Sequence, residues 1–200
     1  MVNMANLVTL GRLAAAVAFF VLVSFDAPIV LDAALVVFIA ACLTDLLDGY
    51  LARKYDQVTA LGRIADPLVD KVIVCGGLVL LANRVPPGAA SAVAVILPWM
   101  VVVIISREFL VSSIRGYAES RGVAFGAKTA GKVKTATQML ALCFVIYYIA
   151  HGDILGLPAG LSRWVTLSLV YLAVVLTVLS AIAYITGARR TFAPGGQKND

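Results

Sequence analysis

Apolar residues in this chain of 200 residues come in long unbroken runs, not in the alternating or amphipathic stripes of a soluble fold. A helix needs roughly 20 mostly apolar residues to cross the hydrocarbon of a bilayer. Against that length the runs predict about six helices, near 7–25, 31–52, 67–83, 89–111, 134–150 and 163–186. The connectors carry turn residues: Asp26-Ala27-Pro28, Val85-Pro86-Pro87-Gly88, and His151-Gly152-Asp153 through Leu157-Pro158-Ala159-Gly160. No internal repeat interrupts the pattern. The first run lacks a clear small-residue cleavage site ahead of a polar domain, so it is expected to stay as a helix and not to leave as a signal peptide. The expected architecture is an all-α integral membrane protein, a bundle of six transmembrane helices. One domain covers residues 1–190, and the polar segment 191–200 is expected to be a disordered tail.

Composition sharpens this. The chain is 62% hydrophobic and 14% charged, where soluble domains run at about 45–50% and about 25%. Mean hydropathy is +0.97. A net charge of +5 would suggest nucleic acid in a soluble protein, but here it points to retained loops and anionic lipid, and no nucleic-acid partner is expected. An even number of spans puts both termini on the side of the 53–66 and 107–134 connectors. That side holds every one of the 16 lysines and arginines except Arg84 and Arg163. The positive-inside rule makes it cytoplasmic, in a bacterial-type cytoplasmic membrane. Cys42, Cys75 and Cys143 are scattered singly and read as small packing residues. The only histidine, His151, excludes a His-rich metal site and a Ser-His-Asp triad.

Four carboxylates break the apolar pattern on the cytoplasmic side: Asp45 and Asp48, then Asp66 and Asp70. Ionisable groups at such depth are costly and mark function by default. The first pair is spaced i, i+3 and the second i, i+4, so each shares a helix face. Four like charges aimed at one place repel unless cations neutralise them. One alternative is that they merely mark helix ends: Asp66 before Pro67 reads as an N-cap with proline at the first helical position. Asp45, inside an apolar run and near a helix C-terminus, does not fit that alternative. An all-oxygen ligand set favours a hard cation such as Mg²⁺ or Mn²⁺. Gly49 and Gly62 permit close approach of a ligand to backbone, and Arg53 is placed to meet a phosphate.

The string Asp45-x2-Asp48-Gly49-x2-Ala52-Arg53-x8-Gly62-x3-Asp66-x3-Asp70 resembles the signature of the CDP-alcohol phosphatidyltransferases, with every position filled. The resemblance implies six transmembrane helices, a homodimer, two divalent metals and transfer of a phosphatidyl group from CDP-diacylglycerol to an alcohol, with release of CMP. It also implies that Asp45, Asp48 and Asp66 ligate metal, that Asp70 completes the second metal site, and that Asp70 is the base toward the attacking hydroxyl. Gly49, Ala52 and Arg53 would line the cytidine diphosphate pocket, together with Gly62 and the aspartates. Attack on a diphosphate needs neutralised phosphoryl oxygens and an in-line nucleophile, which paired metals provide.

A second polar region bears on the alcohol: Ser106-Arg107-Glu108 with Arg115, and Gly131-Lys132-Val133-Lys134-Thr135. These stretches are read as the end of the fourth helix and the start of the fifth. Arg107 stands out because Ile104, Ile105, Phe109, Leu110 and Val111 around it are apolar. Glu108 is placed to orient one of the basic groups. Such a cluster suits an anionic acceptor, its phosphate on Arg107, Arg115, Lys132, Lys134 and Thr135 and its hydroxyl toward Asp70. Ordinary positive-inside charge accounts for Arg121 and Lys128. Both stretches, and the opening Asn6-Leu7-Val8-Thr9-Leu10-x-Arg12, are similar to the phosphatidylglycerophosphate synthase branch of the family. In that branch Asn6 and Thr9 would lie near the nucleotide, and glycerol 3-phosphate would be the acceptor. Inositol phosphate, inositol, serine or phosphatidylglycerol remain open as acceptors. A rival from another class, a cation transporter, fits less well, because the carboxylates gather at one membrane face and no broken-helix repeat is visible.

Overall fold

A computed structural model of the chain describes residues 4–55, 60–86, 94–121 and 129–192, with the side chains of 10–44, 68, 69, 71–86, 94–121 and 131–189. Among the described residues there are six helices: α1 (Met4–Val23), α2 (Pro28–Tyr55), α3 (Ala60–Leu81), α4 (Pro98–Ser120), α5 (Thr129–His151) and α6 (Ala159–Phe192).

Two boundaries differ from the sequence reading in ways that matter for function. The fourth helix starts at Pro98, not near residue 89. Leu97 is extended (φ −95°, ψ 146°), as a residue before proline must be, and proline then opens the helix. Arg107 and Glu108 therefore lie in the middle of α4 and not at its end. The third helix starts at Ala60, so Asp66 is no N-cap: it and Pro67 sit in the second turn, where the proline has no N–H to donate and the helix loses one backbone hydrogen bond. At the other end of the chain, α6 runs to Phe192, two residues into the segment read as tail; 193–200 lie outside the described residues.

Helix α1 packs against α2 and α3, α5 against α2 and α6, and α4 against α6 and α3. The core is apolar, with Phe19 and Phe38 (ring centroids 5.2 Å apart), Leu31, Met100, Ile104, Leu142 and Ile146 fully enclosed. Glycines bring α1 and α3 together. A Cβ on Gly76 would lie 2.4 Å from Phe20 Cζ, and one on Gly77 3.1 Å from Phe19 Cε1, so this small-residue pair is used inside the protomer.

The outer surface is apolar as well: Val17, Ile29, Val36, Val102, Phe109, Leu172 and Ile182 are all exposed. Among the described residues, Gly131–His151 and Ala159–Arg189 are each long and apolar enough to cross a membrane, and the described parts of α1, α2 and α3 contribute the apolar stretches Leu10–Val23, Pro28–Thr44 and Lys71–Leu81.

Polar contacts define the two ends of the bundle. Arg84, just past α3, donates to the Val23 and Phe25 carbonyls after α1 and pairs with Asp26. His151 at the end of α5 meets Asp32 in the first turns of α2 at 2.9 Å. The C-termini of α1, α3 and α5 thus share one end with the N-termini of α2, α4 and α6. The motif halves of α2 and α3 belong to the opposite end, with the last part of α4 and the first part of α5.

Candidate active site

At that opposite end, α4 carries an arginine and a glutamate side by side inside an apolar helix. Each is 8% exposed. Buried charge persists only when paired and hydrogen-bonded, and here the pairing crosses between helices. Arg107 Nη1 donates to Glu108 Oε1 at 3.2 Å, and Lys134 of α5, 3% exposed, pairs with the same oxygen. The Arg107 guanidinium lies over the ring of Tyr184 from α6, 5.7 Å from its centroid, a cation–π contact. Among the described residues, Arg107 Nε is buried and has no hydrogen-bond partner. A buried donor without an acceptor is a standing cost that an incoming anion can relieve.

Helix α3 joins through Lys71, whose ammonium donates to Ser112 Oγ. Ser112 donates onward to the Glu108 carbonyl at 2.6 Å. One turn deeper along α5, Gln138 Nε2 donates to Thr177 Oγ1 of α6 at 2.9 Å. One buried carboxylate thus pairs with cations from α4 and α5, and α3 and α6 join around it through Ser112 and Arg107.

Of the residues read from sequence as phosphate ligands, Arg107 and Lys134 come together around Glu108. Thr135 is half-buried and donates to the Gly131 carbonyl at 3.0 Å, while Arg115 and Lys132 are exposed. Arg121 lies over the ring of Tyr117, 5.3 Å from its centroid, at the surface. The side chains of Asn6, Thr9, Asp45, Asp48, Gly49, Ala52, Arg53, Gly62, Asp66 and Asp70 lie outside the described residues. Their backbone is helical throughout, so the i, i+3 and i, i+4 spacings hold as one-turn separations on α2 and α3.

The donor chemistry fits a hard divalent cation. Four carboxylates come from two helices, and the only histidine is tied to Asp32. Asp32 stands 13 residues before Asp45 on α2, about 20 Å along the axis at 1.5 Å per residue. A metal held by the aspartates is therefore all-oxygen, which suits Mg²⁺ or Mn²⁺.

Sequence reasoning missed three contributors. Lys71 stands directly beside Asp70, and in the sequence it reads only as one of the charges that set sidedness. Ser112 lies one turn from Glu108, a spacing that could have found it. Tyr184 sits in the featureless apolar run of α6, where nothing in the sequence singles it out.

A family model described as CDP-alcohol phosphatidyltransferase matches residues 2–179. A relative from Bacillus subtilis (strain 168), named CDP-diacylglycerol–glycerol-3-phosphate 3-phosphatidyltransferase, is 35% identical over 199 residues, covering 93% of this chain and 95% of its own. A relative of the same name from Rickettsia bellii (strain RML369-C) is 29% identical over 192 residues, 95% of this chain and 97% of its own. Another from Shigella flexneri serotype 5b (strain 8401) is 33% identical over 191 residues, 94% of this chain and 95% of its own.

Proposed function

Because this chain belongs to the CDP-alcohol phosphatidyltransferase family, we propose that it transfers the phosphatidyl group of CDP-diacylglycerol to sn-glycerol 3-phosphate, giving phosphatidylglycerol phosphate and CMP. Relatives spanning nearly the whole chain carry that activity in their names. The observation that carries the acceptor is the buried pair of cations on Glu108. Among the described residues, Arg107 and Lys134 share one counter-charge, Glu108, and Arg107 Nε has no partner. A phosphate monoester, with close to two negative charges at neutral pH, supplies what this site lacks; a neutral alcohol does not.

In this reading Asp45, Asp48 and Asp66 hold two divalent cations, Mg²⁺ or Mn²⁺, with Asp70 completing the second site. When bound, the cations supply charge neutralisation at the diphosphate. Asn6, Thr9, Gly49, Ala52, Arg53 and Gly62 line the nucleotide. Arg107 and Lys134 bind the acceptor phosphate, with Arg115, Lys132 and Thr135 at its entrance. Asp70 accepts the proton of the attacking hydroxyl, and the phosphoryl group passes to the alcohol as CMP leaves.

The six helices cross the membrane, and the aspartate end faces the cytoplasm together with both termini. Two arguments support this. Every helix has at least 20 residues, about 30 Å at 1.5 Å per residue. The basic residues other than Arg84 and Arg163 all belong to that end. Acyl chains of the donor stay in the bilayer while glycerol 3-phosphate enters from water. A homodimer is the family's expectation.

The test is incorporation of labelled glycerol 3-phosphate into lipid by purified protein supplied with CDP-diacylglycerol. EDTA is expected to abolish incorporation and Mg²⁺ or Mn²⁺ to restore it; incorporation insensitive to chelation refutes the metal-dependent mechanism. In the same assay, Arg107→Ala should raise KM for glycerol 3-phosphate about 10–100-fold, the worth of a charge-assisted hydrogen bond, with little change in KM for CDP-diacylglycerol. Equal losses for both substrates would contradict the assignment.

A further inference from the structure

Lys71 follows Asp70 directly on α3, and its ammonium is committed to Ser112 of α4. The Ser112 hydroxyl donates to the Glu108 carbonyl one turn back, and the Glu108 carboxylate holds Arg107 of α4 and Lys134 of α5. One polar chain therefore runs from the stretch of α3 that carries Asp70 to the cations assigned to the acceptor phosphate. Farther toward the other end, Val79 and Ala82 face Val101, Val102 and Ile105 of α4 across an open groove that is apolar apart from Ser106. Apolar contact is non-directional and resists axial sliding weakly. A charged donor on a partly buried hydroxyl is directional and stronger than the same bond in bulk water.

We propose that Lys71 is a positioning residue. Its bond to Ser112 fixes the axial register of α3 against α4, and so holds Asp70 at working distance from the hydroxyl of an acceptor whose phosphate rests on Arg107 and Lys134. The proposal rests on the function given above. It differs from a role for Lys71 as one more phosphate ligand, because Ser112, which has no charge to offer a phosphate, must then matter as much as the lysine.

The experiment compares kcat and KM for both substrates in Lys71→Met, Ser112→Ala, the double variant and Ser112→Thr, with thermal unfolding of each in detergent. Misplacing reacting groups by about 1 Å costs on the order of 100-fold in rate, so kcat should fall about 10–100-fold in Lys71→Met and at least about tenfold in Ser112→Ala. KM for glycerol 3-phosphate should move less than about threefold in both. The double variant should be no slower than Lys71→Met, because both changes cut the same bond. Ser112→Thr, which keeps the hydroxyl, should recover most of the rate.

A raised KM with kcat intact, multiplying losses in the double variant, or lowered thermal stability with kcat retained would each overturn the proposal. Should Lys71→Met fail to fold, the contrast between Ser112→Ala and Ser112→Thr decides alone. The wild-type protein in the same assay tests the function separately. If it used another alcohol and not glycerol 3-phosphate, the acceptor assignment would fall, and the register proposal would be judged on kcat with that alcohol.

Discussion

Asp70→Asn is expected to lower kcat by about 10²–10⁴-fold, the usual contribution of a positioned general base. Asp66 and Asp70 are one turn apart on α3, and Asp45 and Asp48 one turn apart on α2; in the proposed site the acceptor hydroxyl enters between these two pairs. An amide keeps the size and one oxygen of the side chain but cannot take the proton. CDP-diacylglycerol should still bind, since Asp45, Asp48 and Asp66 remain, and nucleotide titration against turnover separates the two effects. A near-normal rate would remove Asp70 from the role of base.

The second large effect is structural. Glu108→Leu should destabilise the protein by about 3–5 kcal/mol, the usual cost of breaking a buried pair by removing one partner. Arg107 and Lys134 are 8% and 3% exposed and share Glu108 as counter-charge, so its loss strands two cations in a low-dielectric interior. Thermal unfolding in detergent reads the loss. The double variant Glu108→Leu/Lys134→Met should regain part of it, because replacing both partners leaves fewer orphaned charges. Unchanged unfolding in the single variant would mean that the cluster is hydrated and not buried.

These residues also show what could be read from the sequence and what could not. The aspartates announced themselves through charge in an apolar run and through fixed spacing, which needs only the pitch of a helix. Arg107 was visible for the same reason, as a cation among isoleucines and leucines. Burial of the other cations was not visible, because it depends on helix phase and on neighbours from distant parts of the chain. Arg115, eight residues beyond Arg107, is about 80° past two full turns and is exposed, while Lys134, two residues from exposed Lys132, points inward to Glu108. Tyr184 could be recognised only once α6 had been laid against α4. The helix count followed from the apolar runs. The start of α4 did not: the apolar residues before Pro98 looked like helix, and the extended Leu97 marks where the chain turns instead. The start of α3 at Ala60 was hidden by Arg63, Asp66 and Pro67, which interrupt the apolar run yet lie within the helix.

The measurement that tests the account most directly is an acceptor panel with purified protein, CDP-diacylglycerol and Mg²⁺ or Mn²⁺, read by release of CMP. Glycerol 3-phosphate should support turnover far better than inositol, serine, inositol phosphate or phosphatidylglycerol. CMP release driven by inositol phosphate or by a neutral alcohol, with none from glycerol 3-phosphate, would contradict it.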